Sequence, residues 1–165
     1  MRQWTVTTVS PVATRELGRI LGECLTSPLV LFLSGDLGAG KTCFTQGLAS
    51  GLGVAVDEAV TSPSYTLMNH YHGRLDLYHF DLYRLAEPDD LVELGFDDYL
   101  DGDGVTVVEW ADRFPDLAGG ALRVGFFCLV GGEERQITFF SATDEGELCL
   151  DCLVGRWTER MRSHG

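Results

Sequence analysis

A single α/β domain with a mixed, mostly parallel sheet flanked by helices is the expectation for this chain, and three observations carry it. An apolar run, Leu29 to Leu33, leads into a glycine-rich segment and then into a helical pattern from Lys41 to about Leu52, the strand, loop and helix order of doubly wound sheets. A second apolar run, Val105 to Val108, ends in Glu109, as expected of a central strand buried on both faces. Leu122 to Val130 and Glu134 to Phe140 flank Gly131 and Gly132 and predict an antiparallel hairpin.

The remaining elements follow from local pattern. Trp4 to Val9 alternates apolar and polar residues and reads as a strand. Ser10-Pro11 has the composition of a helix start, and Val12, Leu17, Ile20 and Leu21 carry that helix to about Leu25. Pro28 then breaks the chain. Val60 to Met68 is rich in hydroxyls around Pro63, and Tyr65 to His72 and Leu75 to Tyr83 read as extended segments around a turn at Gly73-Arg74. Pro88 to about Tyr99 predicts one short helix or two, with an interruption at Gly95, and Asp144 to Met161 predicts an amphipathic helix. With no internal repeat and no long linker, residues 1–165 read as one domain.

Composition narrows the function classes. Hydrophobic residues make up 45% and charged residues 22% of the 165 positions, ordinary for a water-soluble domain. No stretch approaches the roughly 20 apolar residues of a membrane helix, and no signal pattern opens the chain, so a cytoplasmic protein with no membrane partner is expected. Twelve basic residues against 25 acidic ones give a formal charge of −13. That excess repels phosphate backbones, so no strong direct nucleic-acid binding is expected. The five cysteines, an odd number, suit reduced thiols rather than a disulfide framework. Cys149 and Cys152 have C-x-x-C spacing, but with no second pair and no nearby histidine they read as core packing within a helix rather than as a zinc site.

The glycine-rich segment carries the chemistry. Gly35-Asp36-Leu37-Gly38-Ala39-Gly40-Lys41-Thr42 matches G-x-x-x-x-G-K-[ST] in full, with an apolar strand before it and a helix after it. The chain is therefore expected to have a P-loop NTPase fold and to hold Mg²⁺ and ATP. Glycines let successive amides wrap a phosphate, the helix start adds a partial positive charge, Lys41 supplies a point charge, and the Thr42 hydroxyl is a Mg²⁺ ligand. Such sites place a further carboxylate at the end of a neighbouring strand. Glu109 and Asp81 both qualify. The pattern assigns Glu109 to the metal and Asp81 to positioning water or supporting the metal from behind its ligands, so Lys41, Asp81 and Glu109 are the candidate catalytic residues. His79 shares a strand face with Leu77 and Asp81 and reads as a packed, hydrogen-bonded histidine rather than a catalytic one. Thr61-Ser62-Pro63-Ser64-Tyr65-Thr66 is either a segment that senses the γ-phosphate or a hydroxyl-rich turn.

Together these segments resemble the TsaE family, the small ATPases of bacterial tRNA threonylcarbamoyladenosine biosynthesis. The resemblance rests on the glycine-rich loop, on Ser62-Pro63-Ser64-Tyr65-Thr66-Leu67, on His79-Phe80-Asp81-Leu82-Tyr83-Arg84-Leu85, and on Val108-Glu109-Trp110. The last two strings are far more specific than the loop. The resemblance implies an ATPase that works with two partner proteins, TsaB and TsaD, and whose hydrolysis drives repeated turnover of the modifying complex. By motif position, Gly38, Ala39, Gly40, Lys41, Thr42 and Cys43 would cradle phosphates, Thr42 and Glu109 would hold Mg²⁺, and Asp81 would support hydrolysis. Thr14 and Arg135 would also touch nucleotide, and Trp110 would lie beside the active site or the partner surface. Three positions depart from the family pattern: Ser64 stands where threonine is usual, Cys43 where another threonine is common, and Asp76 where proline is common.

Two other readings share the loop. A small-molecule kinase carries an arginine-rich lid, whereas the one basic cluster here is Arg156 to Arg162. A nucleotide-gated regulatory module would use hydrolysis only as a timer. The absence of an Asn-Lys-x-Asp guanine motif favours ATP.

Overall fold

The computed structural model describes every residue except Met1, Leu37, Ser64, Ala118, Val130 and Gly165. In chain order the elements are β1 (Gln3–Thr8), α1 (Pro11–Cys24), β2 (Val30–Ser34), α2 (Lys41–Gly51), β3 (Met68–Tyr71) and β4 (Leu77–Asp81). They continue as α3 (Pro88–Glu93), α4 (Phe96–Leu100), β5 (Val105–Glu109), a 3₁₀ turn (Ala111–Arg113), β6 (Leu122–Cys128), β7 (Arg135–Ser141) and α5 (Asp144–Ser163).

The strands form one seven-stranded sheet in the order β1-β7-β6-β2-β5-β4-β3. The four strands β6, β2, β5 and β4 run parallel, while β7 and β3 reverse direction. β1 returns antiparallel to β7. The mixed, mostly parallel α/β architecture with its β6–β7 hairpin is the one expected. Its central strands read as expected too: β5 is buried at all five positions, because helices cover both faces.

Two cores lie on the two faces of the sheet. On one, Leu17 and Leu21 of α1, Phe44 and Leu48 of α2, and Leu150 and Leu153 of α5 cover Leu31, Leu33, Val105 and Val107. On the other, Leu91, Phe96, Ala111 and Phe114 cover Val30, Phe32, Phe80 and Val108. Gly95, with φ 67°, separates α3 from α4, which is the interruption the sequence predicts.

Local chemistry sets the helix ends. Ser10 caps α1 by accepting from the Ala13 amide at 3.1 Å, with Pro11 at the first helical position. Thr143 caps α5 by accepting from the Gly146 amide at 3.0 Å. The basic C-terminal cluster is spent on helix docking: Arg160 pairs with Glu16 at 3.1 Å and Arg156 with Glu23 at 3.5 Å.

The cysteines require a correction. Cys24 at the end of α1 and Cys152 in α5 form a disulfide, with Cα atoms 6.0 Å apart, so the expectation of five reduced thiols fails. The two are 128 residues apart in sequence and meet only because α5 packs along α1. Cys149 does pack into the core, where burial pushes its thiol up to about 12.

α1 and α2 approach closely through glycines. A Cβ on Gly18 or Gly22 would overlap the carbonyl oxygen of Phe44 or Leu48, and one on Gly47 or Gly51 would overlap that of Arg15 or Arg19. This contact fixes the helix that carries Lys41 and Thr42. Gly47→Ala should therefore destabilise the domain by at least about 1–3 kcal/mol in urea unfolding. Gly155→Ala, in α5 with nothing within 4 Å of a new Cβ, should stabilise it by about 0.5–1 kcal/mol. Equal effects from the two would contradict the close helix contact.

Candidate functional site

The parallel strands deliver their C-terminal ends to one edge of the sheet. In register, Glu109 lies beside Leu33 of β2 on one side and Asp81 of β4 on the other. Alternation puts His79 and Asp81 on the same face as Leu77, and Glu109 on the same face as Val105 and Val107. That face is the one α2 covers. The loop from β2 to α2 turns through Gly35, Gly38 and Gly40, with φ values of 143°, 77° and 106°, a conformation that side chains resist. Gly40 is the N-cap of α2 and no side chain caps that helix, so the helix start has the character of an anion site. Leu37 lies outside the described residues.

A cavity of about 330 Å³ opens at this edge. Thr14, Gly38, Ala39, Gly40, Lys41, Thr42, Cys43, Asp81, Glu109 and Arg135 all line it, so the structure brings every candidate site residue together. Lys41 is buried at 6% exposure. Its ammonium donates to the carbonyls of Gly35 and Asp36 and lies 3.9 Å from the centre of the Trp110 ring. Among the described residues it forms no ion pair. Burial pushes this ammonium below the ordinary lysine range, with Glu109 and Asp81 pulling the other way. A buried cation whose direct partners are carbonyls and a ring face is suited to receive an anion.

Both acids are buried and held. Glu109 Oε2 lies 2.6 Å from His79 Nε2, and with the proton on Nε2 the histidine donates to the carboxylate. His79 is thus packed and hydrogen-bonded, as expected, and its Nδ1 has no hydrogen-bond partner among the described residues. Asp81 accepts from the Ser62 hydroxyl and from the Tyr83 amide, each at 2.9 Å. The hydroxyl-rich segment is therefore tied to the site through Ser62, while Ser64 lies outside the described residues. Oxygen donors at Thr42, Glu109 and Asp81 make a hard ligand set, of the kind that suits Mg²⁺.

Other predicted residues are placed less directly. The Thr14 hydroxyl is shared with Thr8 at 2.7 Å, so this side chain shapes the wall beside Gly40. Arg135 donates to the Gly38 carbonyl at 3.3 Å and closes the loop from the β7 side. Arg84 lies over the Tyr65 ring, its guanidinium carbon 4.1 Å from the ring centre. It does not line the cavity.

Sequence reasoning missed Pro11, Tyr83 and Glu133, which also line the cavity. Tyr83 packs against Trp110 in a tilted contact with ring centres 5.0 Å apart. The signal was available: Tyr83 and Trp110 each follow a strand-end acid by one or two residues. Among the described residues, Trp110 and Leu67 are the non-glycine residues with positive φ, at 62° and 68°. Such backbone costs on the order of 1–3 kcal/mol each, and both sit next to the acids' strands.

The chain is similar to known proteins over most of its length. The family model described as "Threonylcarbamoyl adenosine biosynthesis protein TsaE" matches residues 8–133. The tRNA threonylcarbamoyladenosine biosynthesis protein TsaE of Treponema pallidum is 48% identical over 76% of this chain and 91% of its own length. The Bacillus subtilis protein of the same name is 39% identical over 93% and 95%. The crystal structure of Bacillus subtilis YdiB superposes with a TM-score of 0.79 at 34% identity, covering 94% of this chain and 96% of that one.

The His79–Glu109 bond generates a prediction. In a double-mutant cycle with His79→Ala and Glu109→Ala, urea unfolding should give a coupling of about 1.5–3 kcal/mol, the value of a buried hydrogen bond to a charged group. Additive effects would show that the two side chains are not bonded in solution.

Proposed function

The chain belongs to the TsaE family of threonylcarbamoyl adenosine biosynthesis proteins, and we propose that it is an ATPase that binds Mg-ATP in the cavity at the β2, β4 and β5 strand ends. Its hydrolysis, acting with the partner proteins TsaB and TsaD, would drive turnover of the complex that forms N6-threonylcarbamoyladenosine at position 37 of ANN-decoding tRNAs. The observation that carries this reading is the buried Lys41 ammonium, held by loop carbonyls between an uncapped helix start and two buried carboxylates.

Each residue has a derived task. Gly38 and Gly40 let the loop turn closely enough for amides to cradle phosphate. Lys41 would leave the carbonyls of Gly35 and Asp36 and meet the outer phosphates. Thr42 and Glu109 would hold Mg²⁺, which when bound neutralises phosphate charge and orients the terminal group. His79 fixes the Glu109 carboxylate through its 2.6 Å bond. Asp81, fixed by Ser62 and by the Tyr83 amide, would orient the attacking water and couple it to the hydroxyl-rich segment. No helix of the described residues is long and apolar enough to cross a membrane.

Calorimetry with ATP tests the assignment. Lys41→Ala should weaken binding about 10- to 150-fold, the loss of a hydrogen bond to a charged group worth about 1.5–3 kcal/mol. Unchanged affinity would remove the phosphate assignment. Glu109→Ala should weaken Mg²⁺-dependent binding, since one metal ligand is lost, whereas Asp81→Ala should retain nucleotide while hydrolysis falls. An exchange of those two phenotypes would reverse the roles.

Affinity should also depend on pH. Phosphate needs Lys41 charged, and burial lowers its pKa from the ordinary 10.5. Affinity should therefore fall as pH rises through that lowered value, before an exposed lysine would titrate. Lys41→Arg, which stays charged, should flatten the profile, and an unchanged profile in that variant would contradict the assignment.

A further inference from the structure

Away from the cavity, the hairpin between β3 and β4 gathers two histidines and an aspartate. His70 and His72 alternate along the strand end and so share a face, and Asp76 returns to meet them at the start of the opposing limb. His70 Nε2 lies 3.1 Å from one Asp76 carboxylate oxygen, and His72 Nδ1 lies 3.5 Å from the other. All three donor groups fall within 4.8 Å of one another, the one such group among the described residues.

These separations have a chemical meaning. Zinc bonds of about 2.0–2.1 Å to imidazole nitrogen and carboxylate oxygen give a tetrahedron with edges of about 3.3 Å. The His70-to-carboxylate edge is therefore already close to the required length, and His72 lies beside the second oxygen of the same carboxylate. We propose that His70, His72 and Asp76 form a mononuclear site for a divalent transition ion of the zinc class, with water completing the coordination.

The site is built on fixed structure. The His70 ring stacks on Tyr78 with centres 4.5 Å apart, which sets the direction of Nε2. The intervening loop is itself clamped. The Arg74 amide donates to Leu52 O at 2.6 Å, and the Arg74 guanidinium donates to Leu25 O at 2.6 Å and to Gly22 O at 2.9 Å. Asp76 supplies the carboxylate without which two histidines alone would bind weakly. The ion would clip β3 to β4. On that same strand β3, the side chains of Asn69 and Tyr71 bond the backbone of Thr61, so the clip also holds the hydroxyl-rich segment from behind.

Untagged protein stripped with EDTA should be titrated with Zn²⁺ by calorimetry and with Co²⁺ by absorption. One equivalent should bind with the visible spectrum of a low-coordinate nitrogen and oxygen site, and Zn²⁺ should raise Tm. His72 is 78% exposed, so His72→Ala should fold normally, yet weaken Zn²⁺ binding at least about 10-fold and lose the Tm shift. Asp76→Asn should do the same, while Glu109→Ala should leave the equivalent in place. Binding that survives His72→Ala and Asp76→Asn, or that disappears in Glu109→Ala, overturns the proposal. So does the absence of Zn²⁺ binding to the stripped wild-type chain.

Discussion

The parallel pairing of β5 between β2 and β4 is the constraint from which the rest follows. It aligns Leu33, Glu109 and Asp81 across three neighbouring strands, so that a buried acid stands at each of two strand ends beside the glycine loop. Parallel strands need crossovers, and those crossovers place α2 on one face and the short helices α3 and α4 on the other. The glycine contact between α1 and α2 then sets how the start of α2 meets the strand ends. A different pairing would leave the same residues in the chain and no cavity between them.

The site is held against its own electrostatics. Lys41, His79, Asp81 and Glu109 are each at most 6% exposed, and burying charges costs free energy unless they are paired and hydrogen-bonded. The two carboxylates have specific donors, whereas the Lys41 ammonium has carbonyls and a ring face. Backbone strain gathers in the same place, at Trp110 and Leu67. Local violations of this kind are expected where structure is kept for function rather than for stability.

Much of this was legible in the sequence, and the reason is local. The glycine loop, the apolar runs at β2 and β5, the capped start of α1 and the break at Gly95 are each encoded within a few residues. Period-two alternation was enough to place His79 beside Asp81. What was hidden depends on distance in the chain. Nothing near Cys152 points to Cys24, because only the packing of α5 along α1 joins them. The bond from His79 to Glu109 crosses between strands, so pattern alone could show a buried histidine but not its partner. Asp76 had no reading until the hairpin brought it to His70 and His72.

The central claim is that the cavity holds a nucleotide whose hydrolysis is geared to other proteins. The cavity is lined by the glycine loop, Lys41 and two buried acids; Arg84 lies over Tyr65 and outside it, and Arg135, which does line it, is turned to the carbonyls of Gly38, Gly132 and Glu134. In P-loop enzymes an arginine finger is worth about 10³–10⁵ in rate, so the lone chain should turn over slowly. Steady-state phosphate release should be measured for the chain alone and then with TsaB and TsaD added. The account predicts a slow basal rate that the pair accelerates. Turnover of tens per second by the lone chain, or a rate that the pair leaves unchanged, would contradict it.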